Sequence, residues 1–89
     1  MTGALNSHQA ALAIRERLAD ADPDNSDWQR DLIVSCVKTS EVFPAEARAM
    51  LTRALAIARR LHEEDKLAPE DTWMPDEFAR RLAALPETG

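Results

Sequence analysis

Between residues 44 and 66 the apolar positions fall on one side of a helix. Ala47, Met50, Leu51, Ala54, Ala58 and Leu61 follow i, i+3, i+4, i+7 spacing, and Leu55 and Ile57 widen the stripe. Arg48, Thr52, Arg59 and Glu63 take the opposite face. Nearer the C-terminus, Phe78, Leu82 and Leu85 share one side, with Arg80 and Arg81 on another. Turn signals separate these runs. Asp22-Pro23-Asp24-Asn25 is a turn cluster. Ser26 with Gln29 three residues on reads as a capping box, which predicts Ser26 as N-cap. Phe43-Pro44 and Pro75-Asp76-Glu77 each place proline at a helix start, with acids in the positive first turn. Four helices are predicted, near 3–21, 26–43, 44–66 and 75–85, with a short helical turn at 69–73. The short links between them make consecutive helices antiparallel neighbours.

Composition agrees with the pattern. Of 89 residues, 16 are Ala and only six are Val or Ile, which favours helix and leaves little for a sheet. The fold class is all-α, in one domain spanning 1–89. A chain this short buries only about 60–65% of its unfolded surface, so its core is small.

Residues 11–18 and 54–61 are identical at six of eight positions at an offset of 43. Downstream, Pro23 to Trp28 is echoed by Pro69 to Trp73, with the two Trp residues 45 apart. A repeat of this length points to a helical solenoid. The motifs are Leu12-Ala13-Ile14-Arg15-Glu16-Arg17-Leu18, the turn Asp22-Pro23-Asp24-Asn25, and Trp28-Gln29-Arg30-Asp31-Leu32. With these the chain resembles tetratricopeptide repeat proteins, in the degenerate bacterial form with longer repeats. The resemblance implies antiparallel helix pairs in a right-handed array. Residues 3–21 form a half repeat, 26–66 one helix pair, and 75–85 a C-terminal cap. A generic four-helix bundle is the competing architecture.

The resemblance also implies a non-catalytic protein–protein interaction module, a scaffold or adaptor for a protein or peptide partner. The alternative is a small helical regulator with nucleic-acid contacts. In such arrays the first helix of each pair lines the groove, which assigns Val34, Val37, Lys38 and Glu41 to partner binding. One helix pair cannot cover its own apolar face. The 3–21 helix therefore presents Leu5, Leu12 and Ile14 for self-association, as a homodimer; the competing account folds these residues inward in a monomer.

Charge and chemistry narrow the classes. The net charge of −5 opposes phosphate, arguing against nucleic acid and anionic membrane. No apolar run reaches the ~20 residues of a membrane span. Residues 1–6 lack the basic start and apolar stretch of a signal peptide, and the single Cys36 fits a reducing, cytoplasmic setting. His62 lacks the second histidine of a zinc helix, and Cys36 reads as a small core thiol. The chain has no glycine between Gly3 and Gly89, hence no phosphate loop. No catalytic, cofactor or metal residues are assigned, and the chain is not expected to be an enzyme. Trp28 and Trp73 are expected to pack at helix starts.

Overall fold

The computed structural model describes residues 3–86, with the side chains of residues 3–6 and of His8 outside that description. Four α-helices follow one another: α1 (Gly3–Ala21), α2 (Ser26–Val42), α3 (Ala47–Glu63) and α4 (Met74–Ala84). Two 3-10 turns, Pro44–Glu46 and Pro69–Asp71, lead into α3 and α4. No strand occurs among the described residues. The expected all-α class is the observed one.

The helix boundaries shift where local hydrogen bonding decides them. The N-cap of α2 is Asn25, one residue before the predicted Ser26; its Oδ1 accepts the Trp28 N–H at 3.2 Å. Asn25 supplies the same acceptor as a capping serine, already in an extended backbone. That releases Gln29 from the capping box. Its buried side chain donates to the Ala19 carbonyl at 3.0 Å and accepts from Arg60 Nη2 at 2.5 Å, tying α1, α2 and α3 together. The 44–66 stretch begins as a 3-10 turn and ends at Glu63, sooner than predicted. Beyond it, Asp65 adopts φ 58°. The Asp65 N–H then donates to the His62 carbonyl at 3.1 Å, and the Lys66 N–H to the Leu61 carbonyl at 2.7 Å. This is the Schellman closure, which consumes carbonyls that the helix end leaves open.

The core gathers Leu32, Ile33 and Cys36 from α2, Leu51, Ala54, Leu55, Ala58 and Leu61 from α3, and Met74 and Phe78 from α4. From α1 it takes Leu12 and Ala19. Extensive helix–helix packing runs in sequence order, α1 on α2, α2 on α3 and α3 on α4. Polar bridges reinforce it. Arg30 clamps Asp71 through two bonds, at 2.7 and 3.3 Å, and Asp71 is buried, so the α2 cation neutralises a carboxylate beneath the 69–71 turn. Lys66 meets Asp24 at 2.5 Å, Arg53 pairs with Glu16, and Arg81 reaches Glu41 at 3.4 Å. The molecule measures 38 × 28 × 20 Å along its principal axes.

Candidate interaction face

α1 and α3 begin from nearly the same eight residues and end in different surroundings. Leu55 and Leu61, the counterparts of Leu12 and Leu18, are 8% and 2% exposed. Leu12 is likewise buried, but Leu18 is 42% exposed and Ile14 51%. The cause is neighbour count along the chain: α3 packs extensively on α2 and α4, whereas α1 packs extensively on α2 alone. The pattern codes for a helix covered on two flanks, and α1 has one flank covered.

A helix turns by about 100° per residue, which places Ser7, Ala11, Ile14 and Leu18 on one face of α1. That face borders a groove of about 540 Å³ between α1 and α2. Ser7, Ala11 and Arg15 form one wall; Asp31, Val34, Ser35, Lys38 and Thr39 form the other. Arg15 and Lys38 are exposed and make no ion pair among the described residues.

The residues expected to bind divide accordingly. Val34 and Lys38 line this groove. Val37 instead packs half-buried against the core, and Glu41 turns toward α4, where it meets Arg81. The four do not share one surface. Of the residues expected to self-associate, Ile14 is open to solvent. Leu12 is a correction: it lies on the α2-facing side with Ala19, at 5% exposure, and belongs to the chain's own core. The Leu5 side chain lies outside the described residues, as does that of His8. Leu18 was missed. Its mark in the sequence is the spacing 7, 11, 14, 18, a second stripe beside the one through Leu12 and Ala19.

Several titratable groups elsewhere are buried or bridged. Cys36 is fully buried, and burial pushes its thiol up to about 11, so it is protonated and shielded at neutral pH. Arg80 and Arg81 both converge on Glu77, and Arg60 is held by Gln29, so these cations belong to bridged surfaces. Trp28 is half-buried. Trp73 is 51% exposed and meets Phe78 edge-on at 6.0 Å, packing with one side only. Among the described residues no three His, Cys, Asp or Glu side chains gather to hold a metal ion, and no helix is long and apolar enough to cross a membrane.

Comparison with protein-family models, with curated proteins and with solved structures finds no match.

Proposed function

We propose that this chain is a non-catalytic protein-interaction module, a short stack of helices of the tetratricopeptide kind. Its contact surface is the open face of α1 together with the α1/α2 groove. One observation carries this reading: Leu18 is 42% exposed although its counterpart in α3, Leu61, is buried, and Ile14 is 51% exposed although its counterpart Ile57 is partly buried against the core. Helix packing in sequence order supports the stacked architecture, since a closed bundle also packs its first helix on its last. Covering the exposed halves of Ile14 and Leu18 is worth about 1 kcal/mol each. That gain goes to whatever molecule completes the face.

The test compares the wild-type chain with an Ile14→Asp, Leu18→Asp variant. Partner capture from native lysate and size-exclusion chromatography with light scattering are run on both. Association present in the wild type and lost in the variant, with helix content unchanged by circular dichroism, supports the reading. Association that the variant retains in full overturns this face as the contact surface.

A further inference from the structure

The internal repeat says what shape is missing beside α1, and the charges say what it carries. In the second unit the positions of the Ser7, Ala11, Ile14 and Leu18 face recur, at the offset of 43, as Met50, Ala54, Ile57 and Leu61. Ala54 and Leu61 are buried, and Met50 and Ile57 are partly buried against the core, with α3 held between α2 and α4. α2 is the helix that precedes α3 in this arrangement, and its ends are tied onward through Arg30–Asp71 and Glu41–Arg81. The first unit has a groove of the same parentage, and no helix of the described chain lies in it. The complement is therefore one more amphipathic helix.

Charge defines its flanks. The protein is acidic overall, and five of its eleven Lys and Arg side chains, Arg30, Arg53, Lys66, Arg80 and Arg81, sit in ion pairs. Of the other six, Arg48 and Arg60 hydrogen-bond to neutral groups within the chain, Arg59 is exposed on α3, and Arg15, Arg17 and Lys38 are exposed on α1 and α2. By helical position Arg15 and Arg17 stand on either side of the Ile14–Leu18 stripe, and Lys38 faces Arg15 across the groove. One carboxylate, Asp31, lines that groove among the described residues. The same layout works against a second copy of α1. With Ser7, Ala11, Ile14 and Leu18 as the seam, Arg15 and Arg17 take the two flanking positions. An antiparallel symmetric pair that crosses between Ile14 and Leu18 then sets each beside its own like charge.

We propose, building on the interaction reading above, that the α1/α2 groove docks an amphipathic helix of another protein. Its apolar stripe covers Ile14, Leu18 and Val34, and its flanking carboxylates meet Arg15, Arg17 and Lys38. The apolar contact supplies adhesion, and the three cations select acid over base and set the orientation of the incoming helix.

The test pans a displayed library of ~18-residue amphipathic helices against the full chain. The apolar stripe is fixed at alternating spacings of three and four, and the flanking positions vary among Glu, Gln and Lys. Clones are sorted by whether binding is lost on the Ile14→Asp chain, with circular dichroism confirming that each variant is folded. Among Ile14-dependent clones, Glu is expected to exceed Lys at the flanks by about fivefold or more, the effect of one partly exposed ion pair. An Arg15→Glu, Lys38→Glu chain is expected to reverse that preference. Ile14-dependent clones with neutral or basic flanks overturn the acidic partner and leave the interaction reading standing. A complete lack of Ile14-dependent clones overturns both. A wild-type dimer in light scattering that Ile14→Asp dissociates identifies a second copy as the occupant and also overturns the proposal.

Discussion

At Asp65 the backbone turns into the left-handed region, φ 58°, to close the end of α3. Glycine is the residue that takes this conformation without a Cβ penalty, and the chain has none between Gly3 and Gly89. Asp65→Gly is expected to raise stability by up to about 1 kcal/mol, the relief of left-handed strain less the added unfolded-state entropy. Urea denaturation at neutral pH measures it, and a loss of stability means that the Asp65 side chain contributes more than its backbone costs. Glu77 makes the second residue-scale case. Hydrogen bonds from Arg80 and then Arg81 hold its carboxyl down at about 2, against an ordinary 4.5. The folded value lies below the unfolded one, so the contribution is fully present above pH 4.5 and is lost as pH falls toward 2. Asp24, lowered by its bond to Lys66, acts in the same direction. Glu77→Gln is expected to flatten the decline in thermal midpoint across that acid range, leaving the part due to Asp24; an unchanged slope would place the acid sensitivity elsewhere.

Much of the element scale was legible in the sequence. Prolines at helix starts and the wide stripe of α3 mark their helices because each carries its own local cause: a fixed φ, or an apolar stripe buried along its length. The capping of α2 was harder, since Asn25 and Ser26 are both competent caps. The choice rests on whether Gln29 is needed at the surface or, as found, between Ala19 and Arg60. The candidate face was the least legible. Two near-identical stretches give Leu61 at 2% exposure and Leu18 at 42%, and only the number of packed neighbours separates them. That asymmetry has a dynamic consequence. Among its described side chains α1 buries Leu12 and Ala19, whereas α3 buries Ala47, Leu51, Ala54, Leu55, Ala58 and Leu61. Helices with few buried contacts open first. Hydrogen exchange is therefore expected to be faster at the amides of α1 than at those of α3 in the isolated chain, and slowed in α1 when a partner occupies the groove. Uniform protection across both helices would show a single cooperative unit in which α1 gains nothing from a partner.

On the scale of the whole molecule the question is whether α1 is the first layer of a stack or one wall of a closed bundle. The two architectures assign opposite roles to adjacent side chains. In a stack, Leu12 holds α1 onto α2 while Ile14 and Leu18 wait for another helix. In a closed bundle, all three contribute to the chain's own stability. The exposures to be explained are 5% for Leu12 against 51% and 42% for Ile14 and Leu18. Leu12→Ala removes a core side chain and is expected to cost about 2–5 kcal/mol, a large share of the margin of a small domain. Ile14→Glu with Leu18→Glu alters surface positions and is expected to change the stability of the isolated chain by no more than about 0.5 kcal/mol per site. Urea denaturation of the two variants beside the wild type separates the architectures. The stacked reading requires a steep loss for Leu12→Ala and near-neutrality for the double variant, with association lost only in the latter when the chain remains folded. If the double variant unfolds as readily as Leu12→Ala, Ile14 and Leu18 are working inside the molecule. The face described here is then part of its core.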